Sequence, residues 1–288
     1  MRQKRVLGII GAMCCLSLLL NAQVAGTPGY QSAKGETARS FHWPEGYRAA
    51  VSLSFDDART SQIDTGLPLL ARLGVKVTFF VQPGGVQRRL EGWKQAVLNG
   101  HEIGNHTDSH PCSGNYPFSV NNALENYDLK RIAEQIDDTN DQIQKLLGVK
   151  PKTFAYPCGQ KFVGRGIDVE SYVPLVAERF LVGRSYLSES SNDPMMVDLA
   201  QAMGTAFDNM DFTQMKIVVD EATRQGRWVI FVGHDIGARG HQVTDTKALK
   251  DLCKYLKDPA NGIWLGTVEE IGSYVHQQQV GGGAGSAR

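Results

Sequence analysis

Short apolar runs of strand character alternate with amphipathic stretches from Ala49 to His276, and this rhythm limits what the chain can become. Ala49–Phe55, Val75–Val81, Glu102–Asn105, Thr153–Tyr156, Phe180–Gly183, Met195–Leu199, Trp228–Gly233 and Ile263–Thr267 read as strands. Ile63–Leu73, Arg88–Asn99, Leu124–Leu147, Phe212–Gln225, Thr244–Lys257 and Val268–His276 have helical spacing. In the longest of these, Leu129, Ile132, Ile136, Ile143 and Leu147 share one face, and Gly148 stops the helix. Alternating β and α segments predict a parallel sheet, because each crossover must carry the chain back along a helix. About seven or eight such repeats in about 240 residues favour a closed or nearly closed α/β barrel, in one domain, over an open sheet.

The flanks read differently. Arg2, Lys4 and Arg5 precede an apolar run from Val6 to Leu20, with small residues after it. That is the layout of a signal peptide, with cuts after Ala22 or Gly26, although a retained N-terminal anchor has the same layout. We assign residues 1–26 to the signal, 27–40 to a linker, 41–278 to the catalytic domain and 279–288 to a disordered Gly-rich tail. No later run reaches the length of a membrane span. The chain carries 30 Lys+Arg against 30 Asp+Glu, and loss of the three leader cations leaves an exported form that is slightly acidic. Such a balance offers no basic surface for nucleic acid. Oligomeric state is not legible.

In barrels of this kind, chemistry sits at the C-terminal ends of the strands. Four strand ends carry suitable groups: Asp56 and Asp57; His106 and His110; Tyr156, Pro157 and Cys158; His234 and Asp235. Two adjacent carboxylates repel, and a divalent cation relieves that repulsion, leaving one free to act as a base. Taken alone, the pair reads as readily as a helix cap. Histidines four apart would share one side of a helical turn, and imidazole is a common zinc ligand. Asn105-His106-Thr107 also matches a glycosylation sequon. His234 at a strand end suits a general acid, with Asp235 either orienting it or capping. His42, His101, His241 and His276 read as structural or exposed.

Ser54-Phe55-Asp56-Asp57, the stretch His101–Pro111, the late His234, and Trp264–Ile271 resemble the polysaccharide deacetylase family, the NodB-homology domain of carbohydrate esterase family four. The resemblance runs from about Ala49 to Val275. It implies a distorted (β/α) barrel of about seven repeats. Asp57, His106 and His110 would bind a divalent metal, zinc by preference. Asp56 would be the base that takes a proton from the attacking water, and His234 the acid that protonates the leaving amine. The partner would be an acetylated polysaccharide or oligosaccharide. An O-acetyl esterase on xylan-like glycans, a non-catalytic carbohydrate-binding protein and a small-amide hydrolase are the other readings.

This chain departs from the family pattern at its third motif. Ala155-Tyr156-Pro157-Cys158-Gly159 stands where Arg-Pro-Pro-Tyr-Gly is common, so the arginine that orients the base is missing. Arg184 is the candidate to replace it. Cys158, through its backbone N–H, and Tyr156 are the candidate oxyanion and substrate contacts. The carboxylate expected to tune His234 is not recognisable, with Asp193 and Asp198 both open. Cys112 and Cys158 each follow a proline beside a site motif; they form either a bridge or two free thiols.

Overall fold

The computed structural model describes residues 41–238 and 240–281. The expected signal, the linker and most of the expected tail lie outside them. In chain order the strands are β1 (Ala49–Asp56), β2 (Thr78–Val81), β3 (Glu102–Asn105), β4 (Thr153–Ala155), β5 (Phe162–Val163), β6 (Glu170–Ser171), β7 (Val182–Arg184), β8 (Thr205–Ala206), β9 (Trp228–Gly233), β10 (Asp235–Gly237), β11 (Val243–Asp245) and β12 (Ile263–Leu265). The helices are α1 (Leu67–Leu73), α2 (Pro83–Gln87), α3 (Leu90–Leu98), α4 (Leu129–Leu147), α5 (Val173–Arg179), α6 (Phe212–Gln225), α7 (Thr246–Lys257) and α8 (Val268–Gly281).

The main sheet has the order β7-β4-β3-β2-β1-β9-β8 and is parallel throughout, as the alternating pattern predicts. β12 lies along the first half of β1, pairing Ala49 with Ile263, while β2 takes the second half, pairing Ser54 with Thr78. That wedge is the distortion. The sheet curls into a half-barrel, and its two ends approach through one parallel bridge between Arg184 and Ala202. β5 with β6, and β10 with β11, form two small separate sheets.

The period of two along β1 explains where the chemistry faces. Val51, Leu53 and Phe55 join the core under the outer helices, with Leu70, Val219 and Leu252. Ala50 belongs to the inner cluster with Phe80, Val182 and Ile230, and Asp56 continues that inner set to the top of the strand. Gly104 is required on the same inner side, since a Cβ there would lie 2.4 Å from the Phe80 ring. At the opposite end half-buried Glu102 accepts from Thr78 Oγ1 (2.7 Å), from the Glu269 N–H at the start of α8 (2.9 Å) and from Thr153 Oγ1. This ties the lower ends of β2, β3 and β4 to α8.

Three departures from expectation have a local cause. The helix expected from Leu124 begins at Leu129, because the Asp128 side chain accepts from Arg131 N–H (2.7 Å) and caps it. Met195–Leu199 is a turn rather than a strand. There Asp193 accepts from Met195 N–H and Asp198 from Ala200 N–H, taking donors that a ladder would need. The final helix runs to Gly281, past the expected boundary at 278, and Gln279 donates to the Pro194 and Val197 carbonyls at 3.0 Å. No helix among the described residues is long and apolar enough to cross a membrane.

Candidate active site

The strand ends converge as the topology requires. Asp57 Oδ1 lies 3.5 Å from His106 Nε2 and 3.6 Å from His110 Nε2. Their ligand atoms all fall within 4.8 Å of one another. Two imidazole nitrogens and a carboxylate oxygen at these separations suit an ion about 2.0–2.2 Å from each, the bond length zinc makes with N and O donors. Each donor is held from behind. His106 Nδ1 is 2.9 Å from the Ala155 carbonyl, Asp57 Oδ2 accepts from Arg59 Nη2 at 3.0 Å, and His110 Nδ1 is 3.6 Å from Cys112 Sγ. Such outer partners fix ring orientation in metal sites.

Electrostatics agrees with a cation site. Burial acts to raise the Asp57 carboxyl, but the hydrogen bond from His106 and the charge of that ring outweigh it. Asp57 is held well below the usual carboxylate range. Burial, with His106 beside it, lowers His110 to about 4, so its ring is neutral and free to ligate. His106 is raised: burial opposes its charge, and Asp56 and Asp57 overcome that.

His106 and His110 do not sit on a helix. They lie in a loop in which Thr107 (φ 57°) and His110 (φ 48°) are left-handed, and this brings the rings to 4.8 Å. Asn105 is fully buried, donating to the Ile136 carbonyl and Asn140, and accepts from Thr107 N–H at 2.8 Å. The sequon is therefore closed off. Asp57, Ala58, Cys158, Leu187, Asn209 and Gln242 are also left-handed. All the described non-glycine residues of positive φ thus lie in this site or next to it, where strain of order 1–3 kcal/mol each is held by the surrounding structure.

Asp56 is buried, and Arg184, the candidate to replace the arginine absent from the third motif, is paired with it. The fully buried Arg184 donates through Nη2 to Asp56 Oδ1 and through Nη1 to the Ser185 carbonyl, and its guanidinium stands 4.8 Å from the Phe80 ring centroid. Val182 and Arg184 are two apart on β7, so both face inward; this is how a residue from another strand reaches the base.

His234 follows β9. Its Nδ1 is 2.6 Å from Asp208 Oδ2, its N–H donates to Asp208 Oδ1 at 3.1 Å, and Thr244 Oγ1 donates to the same oxygen at 3.0 Å. Asp208 therefore holds the ring, and neither Asp193 nor Asp198 does, since both are turn caps. Gly233 makes room: a Cβ would lie 3.2 Å from Asp208 Oδ1 and 2.6 Å from Phe207. Asp235 is not the orienting group. It pairs with Arg59 Nη1 at 2.7 Å and accepts from Ser61 Oγ at 2.6 Å, steadying the arginine behind Asp57.

Tyr156 is buried and its hydroxyl donates to the Ala200 carbonyl at 2.7 Å, so that hydroxyl is not a substrate contact. Tyr156 is still among the residues that line the cleft. Cys158 is bridged to Cys112. This disulfide joins the loop carrying His110 to the loop after β4. His101 is structural as expected, its Nδ1 accepting from Val77 N–H. His241 instead lines the site, as do Arg59, Tyr186 and Gln242, none of which the motifs reveal. The cleft encloses about 740 Å³. With a sequence separation of 46, loss of the bridge in Cys158→Ser is expected to remove about 4 kcal/mol in the chain-entropy account. Urea denaturation of both proteins checks it, and a loss under 1 kcal/mol would count against the bridge as a brace.

A curled parallel sheet thus presents two histidines, paired aspartates and a carboxylate-backed histidine at its strand ends. The polysaccharide deacetylase family model matches residues 32–165, the part holding Asp56, Asp57, His106, His110 and Cys158. Over that stretch the chain is similar to the polysaccharide deacetylase family. It is 40% identical over 93 residues to an uncharacterized protein, YlxY, of Bacillus subtilis (strain 168), covering 32% of this chain and 26% of that protein. It is 34% identical over 113 residues to the peptidoglycan-N-acetylmuramic acid deacetylase PdaC of the same organism, covering 38% of this chain and 21% of that protein. The chain thus spans about a quarter of the length of these relatives. The crystal structure of a Mycobacterium smegmatis protein, described only by its assignment to the polysaccharide deacetylases, has the same fold, with a TM-score of 0.60 at 16% identity over 84% of this chain and 95% of that one.

Proposed function

We propose that this chain is an exported, metal-dependent hydrolase that removes acetyl groups from a carbohydrate, with N-acetyl groups of an amino-sugar polysaccharide as the preferred substrate. The observation that carries this reading is the division of labour between two neighbouring aspartates. Asp57 joins His106 and His110 as a donor set, while Asp56 is turned to Arg184 and kept out of that set. Zinc suits two imidazoles and a carboxylate, and a divalent ion bound there supplies the positive charge that acidifies water and polarises an acetyl carbonyl.

Asp56, held by Arg184, takes the proton from the attacking water. His234 gives a proton from Nε2 to the leaving nitrogen, and Asp208 keeps Nδ1–H engaged and balances the ring's charge while it does so. The Cys158 backbone N–H is the donor for the developing oxyanion. A residue that offers only its N–H tolerates the change of side chain from the family's tyrosine. The name of PdaC supports an N-acetyl glycan as the substrate class, and the Cys112–Cys158 bridge supports an oxidising, exported setting.

Acetate release tests the proposal. With zinc present, N-acetylglucosamine oligomers or peptidoglycan are expected to give a kcat/KM at least about tenfold above acetylated xylan, a difference of about 1.4 kcal/mol in transition-state binding. Release from xylan alone would shift the reading to an O-acetyl esterase. No acetate from any of these glycans would end it.

A further inference from the structure

The outer helices α1 and α7 carry positive charge that their own residues do not balance. α7 places Lys247, Lys250, Lys254 and Lys257 three or four residues apart, and all four are exposed. That spacing keeps them in one stripe, each about 4.5–6 Å further along the helix axis than the last. Exposed Arg72 joins them from α1, lining with Lys247 and Lys250 a groove of about 630 Å³ between the two helices. The chain-wide balance of 30 Lys+Arg against 30 Asp+Glu conceals this local excess.

α1 and α7 hold one carboxylate, Asp251, which pairs with Lys247 at 2.9 Å. Lys257 Nζ donates to the Leu73 carbonyl at 2.6 Å. Arg72, Lys250 and Lys254 make no ion pair or side-chain hydrogen bond among the described residues. Asp245 and Asp258, at the two ends of α7, are turned to the Ala248 and Ala260 N–H groups. On other helices the cations meet acids one turn away, as Lys94 does Glu91, Lys130 Glu134 and Lys216 Asp220. Like charges three or four residues apart weaken a helix. The packing of α7 does not call for them, since its buried face is made by Ala248, Leu249, Leu252, Cys253 and Leu256. An external anion accounts for a stripe that has no internal partner.

We propose that the groove between α1 and α7, with the lysine stripe that continues it, binds a linear chain of phosphodiester-linked polyol or sugar units. Lysine ammonium groups are compact point charges that serve phosphate well. Their regular spacing suits a chain with one phosphate in each short repeat. Nucleic acid fits less well, because single strands are held by stacking on aromatic rings. Among the described residues, no exposed large apolar side chain lies on α1 or α7. The same absence disfavours burial in a membrane surface. The groove shares no lining residue with the catalytic cleft, and α7 starts shortly after Gln242, which lines that cleft. A chain lying on the stripe holds the protein on an anionic matrix with its cleft still open.

Calorimetry with a glycerol phosphate decamer, at about 50 and 200 mM salt, tests this. Log Kd is expected to rise with log salt at a slope of about 3, from four lysines at about 0.7 each. Lys250→Gln/Lys254→Gln should raise Kd about tenfold at the lower salt and cut the slope to about 1.5. Its urea midpoint should equal or exceed the parent's, because like-charge repulsion is relieved. A parent that does not bind the decamer, or a variant Kd within about twofold of the parent's, would overturn the site. A lower urea midpoint would do the same, since the lysines would then be structural. So would a thymidylate decamer or phosphatidylglycerol vesicles that the parent binds more tightly than the glycerol phosphate chain; the stripe would then serve nucleic acid or a membrane.

Discussion

Asp56→Asn is expected to lower kcat for acetate release by about 10³-fold while zinc remains bound, the middle of the range for loss of a positioned general base. The amide keeps an oxygen that can accept from Arg184, so the strand end retains its shape, but it cannot take a proton. Asp57, His106 and His110 are untouched, so metal content measured on the purified variant should equal the parent's. Activity within tenfold of the parent's would remove Asp56 from the chemistry. Loss of zinc together with activity would mean that Asp56 is a ligand and that the division between the two aspartates is wrong.

Arg184→Met is expected to destabilise the protein by about 3–5 kcal/mol and to lower kcat by about 10²-fold. The guanidinium is fully buried and Asp56 nearly so. Removing one charge leaves the other desolvated without its partner, and that penalty, more than the loss of attraction, sets the size of the effect. A methionine fills similar volume against Phe80, so the cavity contribution is small. Freed of Arg184, Asp56 would turn toward His106, whose Nε2 already lies 3.8 Å from Asp56 Oδ2. Urea unfolding of Arg184→Met, Asp56→Asn and the double variant gives the coupling directly. A coupling of about 1–3 kcal/mol is predicted, with the double variant less destabilised than the sum. Additive losses would show that the two side chains merely sit close.

How much could be read in advance depends on whether a residue's partner is near it in sequence or on a strand end. Asp56, Asp57, His106, His110 and His234 follow apolar strands, and the strand-end rule brings them together without any knowledge of side-chain contacts. Arg184 was reachable only because the motif around Ala155 lacks a charge that something must replace. Asp208 was not reachable. It lies 26 residues before His234, after the two-residue β8, and nothing around it repeats or alternates. Arg59 behind Asp57, and Asp235 behind Arg59, depend on side-chain directions that a spacing does not encode. The four-residue step from His106 to His110 suggested a helical turn because that period fits one. Left-handed Thr107 and His110 reach the same juxtaposition through a loop instead. Met195–Leu199 looked like a strand by composition, and two aspartates turned it by taking its backbone donors.

The most direct test of the account is a zinc titration of chelator-treated protein, followed by acetate release from penta-N-acetylchitopentaose. Activity should be absent at the start, rise linearly and level off at about one zinc per chain, as expected for a single donor set. Asp57→Ala should show neither the binding nor the rise. Full activity in the chelated protein, or an undiminished zinc plateau in Asp57→Ala, would contradict the assignment of Asp57, His106 and His110 as the metal centre of a deacetylase.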